Sequence, residues 1–135
     1  MIYLLDTNSC ITYLKAPKSP IRTRLESHLP TDIAVCSVVK AELYRGAMRS
    51  HNPPRTLAVE SAFLSQFVSL PLDDAAGETA GRIRAELEGK GTPIGPYDVL
   101  IAAIALVNNL ILVTHNISEF SRIVGLRFED WEATP

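Results

Sequence analysis

The sequence predicts an α/β fold built on a mainly parallel sheet, and three observations predict it. Ile2–Leu5, Ile33–Cys36 and Leu110–Thr114 are short apolar runs without in-out alternation, the pattern of strands covered on both faces. Segments with helical periodicity separate them. The chain has 135 residues, 47% hydrophobic and 21% charged, enough for one ordered domain spanning 1–135 with its own core.

The elements follow in order. Ile2–Leu5 is a buried strand, and Thr7–Leu14 a helix stopped before Pro17. A short helix runs from Ile21 to Leu29 after Pro20. Ile33–Cys36 is the second strand, and Ser37 is suited to cap a helix from Val38 to about Met48. Ser50–Pro54 is a break, followed by a helix carrying Leu57, Phe63, Leu64 and Phe67. Val68–Leu70 is a weak strand ended by Pro71. Asp73 opens a long helix with Ala76, Ala80, Ile83 and Leu87 on one face. Gly89–Gly95 is a glycine-rich loop, and Pro96 suits the first position of the next helix. Leu110–Thr114 is a strand, and Phe128 belongs to a final edge strand.

Composition narrows the class. The net charge of −2 leaves any nucleic-acid binding to a local basic patch. Cys10 and Cys36 form no CxxC pair and lie in apolar segments, as buried free thiols do. The start, MIYLLD, lacks the basic region of a signal peptide. The longest apolar run, Val99–Val107, falls well short of the roughly 20 residues of a membrane span. A cytoplasmic protein without membrane contact is expected.

Three acids stand in apolar surroundings. Asp6 ends the first strand, where it can cap the next helix, bind a ligand, or do both. Glu42 falls within the apolar half of its helix, beside Val38, Val39 and Leu43; a buried salt bridge to Arg49 is the plainer alternative. Asp98 opens the apolar helix, where the helix dipole alone favours an acid. Ionised carboxylates in such places are costly unless a positive charge meets them, and no Lys or Arg is adjacent. An all-oxygen site selects Mg²⁺, or Mn²⁺, over zinc, and such an ion activates water and stabilises a phosphoryl transition state. In parallel sheets ligands bind beyond the carboxyl ends of the strands. Asp6 and Asn116 follow two such strands and belong on one edge. Asn116 is either a turn residue or a neutral oxygen ligand, and Glu119 is the spare acid nearby. His115 reads as a surface loop residue. Arg45, Arg49, Arg82, Arg84 and Lys90 are the cations available for a phosphate backbone. There is no His/Cys zinc spacing, Walker pattern or GxGxxG.

LLDTNSCI at Leu4–Ile11, SVVKAELYRGA at Ser37–Ala47, GTPIGPYDVLIAAIA at Gly91–Ala105 and LVTHNISEFSRI at Leu112–Ile123 together resemble the VapC toxins, PIN-domain ribonucleases, over nearly the whole chain. The resemblance implies a three-layer α/β/α fold, Mg²⁺-dependent RNA cleavage within a toxin–antitoxin system, a VapB-type antitoxin and a homodimer. It carries the family's acids onto Asp6, Glu42 and Asp98, and places Asn116 where many members have a further Asp. Around GTPIGPYD the chain is similar to members acting on initiator tRNA. Two rivals come from other classes. Haloacid-dehalogenase-type phosphatases also begin with a strand ending in Asp, but need a second Asp where this chain has Asn8. Non-catalytic RNA-binding PIN-like modules tend to lose the acids retained here.

Overall fold

A computed structural model describes residues 1–133. Five strands, β1 (Tyr3–Leu5), β2 (Ile33–Cys36), β3 (Val68–Leu70), β4 (Ile111–Val113) and β5 (Phe128–Glu129), form one sheet of order β3-β2-β1-β4-β5. Every pairing is parallel. Helices α1 (Thr7–Lys15), α2 (Pro20–Glu26), α3 (Ser37–Met48), α4 (Pro53–Leu64), α5 (Asp74–Gly89), α6 (Pro96–Val107) and α7 (Ile117–Phe120) flank it, giving the three-layer α/β/α architecture. Strand order reverses at β1, which lies between β2 and β4. The crevice beyond the carboxyl ends of β1 and β4 is therefore the natural binding place of this topology.

The core explains why the sheet is fixed. Leu4, Leu5, Ile33, Val35, Leu112 and Val113 are fully buried, as strands covered on both faces require. Helix α6 buries Val99 and the run Ile101–Ala105 and packs along α5. Cys10 and Cys36 are buried free thiols. No helix of the described residues is long and apolar enough to cross a membrane.

Helix starts follow their caps. Asp6 accepts from Ser9 N at 2.8 Å, Asp73 from Ala76 N at 2.9 Å, and Asn52 caps α4 just before Pro53. Several boundaries differ from the sequence reading: β1 starts at Tyr3 rather than Ile2, and α1 ends at Lys15 rather than Leu14. Ser37 does not cap α3: it is the first helical residue, Cys36 holds the cap position, and the Ser37 hydroxyl accepts from Leu72 N at 3.2 Å instead. The second helix ends at Glu26 rather than Leu29, because the chain turns through Pro30–Asp32 to enter β2. The fourth strand is shorter than Leu110–Thr114.

The join between α6 and β4 is a Schellman turn with Asn where glycine is usual. Asn109 has φ 55°, Leu110 N donates to Ala105 O at 2.9 Å and Asn109 N to Leu106 O at 3.1 Å. Arg127 clamps the turn from outside, donating to Asn109 O and Oδ1 at 3.0 and 3.1 Å. The left-handed backbone costs a β-branched residue more than Asn or Gly, by about 1–2 kcal/mol. Asn109→Val is expected to lower unfolding free energy by at least that amount in urea titrations, with Asn109→Gly much closer to the unsubstituted protein.

Candidate active site

Asp6 is placed by three backbone-anchored contacts. Its N–H donates to Val113 O at 3.1 Å, linking the ends of β1 and β4. Its Oδ1 caps α1, and Ser9 Oγ donates to the same Val113 carbonyl at 3.1 Å. Asp6 is 4% exposed. Burial raises its pKa above the usual carboxylate value, hydrogen bonds with Thr114 and Ser9 oppose the rise, and the Glu42 charge adds to it. The cap occupies one carboxylate oxygen and leaves the carboxylate capacity for a further partner.

Glu42, on α3, is half-buried and is held by Thr7, whose Oγ1 donates to Oε1 at 2.6 Å. The alternative salt bridge to Arg49 does not occur among the described residues. Asp98 lies in the first turn of α6. A Cβ on Gly95 would stand 3.3 Å from Asp98 Oδ2, so the glycine leaves room for this carboxylate. The Asp98 pKa is pushed up to about 6, by burial first and then by the charges of Asp6, Glu42 and Glu119.

Four acids from four segments thus bear on one region: Asp6 after β1, Glu42 on α3, Asp98 on α6 and Glu119 on α7. None is paired with Lys, Arg or His among the described residues. This donor set, all carboxylate and short of positive charge, fits a hard divalent cation.

Asn116 occupies the N-cap position of α7, but its side chain makes no capping bond. Its N–H donates to Thr114 Oγ1 at 3.0 Å. With Asn8, Thr12, His115 and Glu132 it lines a neighbouring cleft. The fully buried Thr114 ties Asn116 to Asp6, a role the sequence reading did not assign. Nor did it find the His115 cluster. His115 Nδ1 lies 3.0 Å from Asp130 Oδ2, which raises the His115 pKa. Glu132 joins them, with one donor atom from each residue within 4.8 Å of the others. The pairing depends on β5 bringing Asp130 beside the end of β4, which no local pattern reveals.

Known proteins supply the family. The PIN domain family model matches residues 3–126. Over 129 residues the chain is 43% identical to the tRNA(fMet)-specific endonuclease VapC of Salmonella typhimurium, covering 96% of this chain and 97% of that one. This chain belongs to the VapC family of PIN-domain ribonucleases. Ribonuclease VapC2 of Haemophilus influenzae is a further VapC relative, 40% identical over 96% of this chain and 97% of its own. The fold is equally close to solved VapC structures. It matches the DNA-bound VapBC of Salmonella typhimurium with a TM-score of 0.91 at 43% identity, over 97% of this chain and 98% of that one. It matches VapBC2 of Rickettsia felis bound to promoter DNA with a TM-score of 0.90 at 37% identity, over 97% and 99%.

The raised Asp98 pKa sets a pH dependence. Its folded value, about 6, exceeds the ordinary 3.8, so between these values the folded state binds more protons than the unfolded state. Stability from this group is greatest below 3.8 and declines as pH rises through about 6. In EDTA, the melting temperature of the unsubstituted chain is expected to fall across this window relative to Asp98→Asn. Parallel melting profiles for the two proteins would contradict a raised Asp98 pKa, whether from burial or from its acidic neighbours.

Proposed function

We propose that this chain is the toxin of a type II toxin–antitoxin pair: a divalent-metal-dependent endoribonuclease that cuts initiator tRNA and is silenced by a VapB-type antitoxin. The observation that carries the metal dependence is the convergence of four carboxylates without a cation, one of them displaced to a pKa of about 6. Initiator tRNA is supported by the relatives from Salmonella typhimurium and Shigella flexneri, both named tRNA(fMet)-specific endonucleases. The antitoxin is supported by the solved neighbours, which are VapBC assemblies. The reading extends to a cytoplasmic homodimer.

Asp6, Glu42 and Asp98 would hold Mg²⁺, with Mn²⁺ as the alternative. When bound, the ion supplies Lewis acidity and neutralises charge on the reacting phosphate. The protein's part is positioning. The cap and strand bonds keep Asp6 from swinging, the Thr7 hydroxyl orients Glu42, and the buried helix α6 holds Asp98. For a fourth, outer ligand beyond Asp6, Glu42 and Asp98, Glu119 has the stronger electrostatic claim, since its charge acts on Asp98; Asn116 offers a neutral carbonyl oxygen instead. Arg45 and Arg49, exposed on and just beyond α3 and free of ion pairs among the described residues, are available for the RNA backbone. Arg84 and Lys90 are engaged with Glu88 and Glu86 at 3.7 and 3.3 Å. Attack of water on phosphorus with departure of the 3′ oxygen leaves 5′-phosphate and 3′-hydroxyl ends.

Initiator tRNA incubated with the purified chain and Mg²⁺ should be cut to such products, with EDTA or Asp98→Asn reducing the rate at least 100-fold, about the scale of losing a key electrostatic group. Glu119→Gln should cost more activity than Asn116→Ala. A 2′,3′-cyclic phosphate product, or full activity in EDTA, contradicts the mechanism; the reverse order of the last two variants assigns the outer position to Asn116.

A further inference from the structure

A fifth acid lies outside the catalytic group. Glu60, on α4, is 7% exposed, and its Oε1 is buried without a hydrogen-bond partner. It faces a groove of about 170 Å³ whose walls include Ile11, Leu14 and Leu43, and which Glu42 and Lys15 also line. The groove therefore joins Glu42 of the acidic site to Glu60. Leaving such an oxygen unpaired is costly, and burial raises the Glu60 pKa while Lys15 opposes the rise. Lys15 does not resolve the deficit: its side chain is exposed and makes no ion pair with Glu60 among the described residues.

These features define a ligand chemistry. Apolar walls suit the methylene stem of a long cationic side chain. An unpartnered carboxylate oxygen in the lining suits a guanidinium N–H. The lining acids Glu42 and Glu60 disfavour RNA phosphate. We propose that Glu60 anchors an arginine side chain of the antitoxin segment occupying this groove, so that toxin and antitoxin are matched at a point separate from the catalytic acids. This rests on the antitoxin reading above and deepens it. Binding supplies the donor that Oε1 lacks and covers the remaining accessible surface of Ile11 and Leu14 with the arginine stem.

The test follows side-chain carboxyl resonances of the full chain by NMR while Nα-acetyl-arginine methylamide is added, with the uncharged citrulline analogue as control. The arginine probe is expected to shift the Glu60 resonance, and citrulline to bind at least tenfold more weakly. That comparison needs no substitution, so it stands even if a Glu60 variant folds poorly. Glu60→Gln should weaken the probe at least tenfold and leave the RNA cleavage rate unchanged. Equal response to arginine and citrulline overturns the anchor. So does an arginine response confined to Asp6, Glu42 and Asp98, an outcome that leaves the antitoxin reading intact. If Glu60 takes the arginine probe as expected but no VapB-type partner suppresses cleavage, the antitoxin reading fails and the arginine site remains.

Discussion

The burial of like-charged carboxylates at the end of β1 is the constraint on which the rest of this structure depends. Burial penalises each ionised carboxylate and the neighbouring like charges add to the penalty, so such a group persists only where rigid elements hold it. The fold supplies those elements. Asp6 is locked by the β1–β4 backbone bond and by its capping bond to Ser9. Glu42 is tied to Thr7, and Asp98 is carried on a helix whose following turns are buried. A fold stabilised through its core tolerates this local cost, and the divalent cation proposed for this site would offset it.

The topology explains why these residues meet. A parallel sheet delivers all its strand ends to one edge, and the reversal of strand order beside β1 opens a crevice there. Asp6 and the Thr114–Asn116 turn enter that crevice from adjacent strands, while α3 and α6 bring Glu42 and Asp98 from positions far apart in sequence. The Asn109 turn matters here as well, because it sets how the chain passes from α6 into β4 and so fixes the two walls relative to each other. Activity and stability are consequently coupled: the contacts that orient the acids are also the contacts that start helices and pair strands.

Much of this was legible in the sequence, because burial leaves a strong mark on residue type. Apolar runs mark the strands, and acids in apolar settings mark the candidates: Asp6 at the end of a strand, Glu42 on the apolar face of a helix and Asp98 at the start of an apolar helix. Short-range chemistry was less reliable. Ser37 has the residue type of a cap, yet its hydroxyl is used by Leu72 across the sheet edge. Glu42 and Arg49 have a plausible helical spacing, yet Glu42 bonds to Thr7. The features that escaped are those made by tertiary contact alone. Thr114 links Asp6 to the α7 turn, Asp130 arrives beside His115 through β5, and the buried oxygen of Glu60 has no periodic signature. Glu119 was visible only as a spare acid, and its electrostatic weight on Asp98 depends on where α7 is placed.

The described residues therefore offer two places for a cation, and they differ in kind. The four acids around Asp98 are buried or half-buried and mutually repelling, whereas His115, Asp130 and Glu132 already neutralise part of their charge through the His115–Asp130 contact. On the proposed function, the ion belongs to the first. Paramagnetic broadening of backbone amide signals by substoichiometric Mn²⁺ at neutral pH distinguishes them directly. The account predicts broadening centred on Asp6, Thr7, Asp98 and Val99, abolished by Asp98→Asn and unaffected by His115→Gln. Broadening centred on His115, Asp130 and Glu132, retained in Asp98→Asn and lost in His115→Gln, would contradict it.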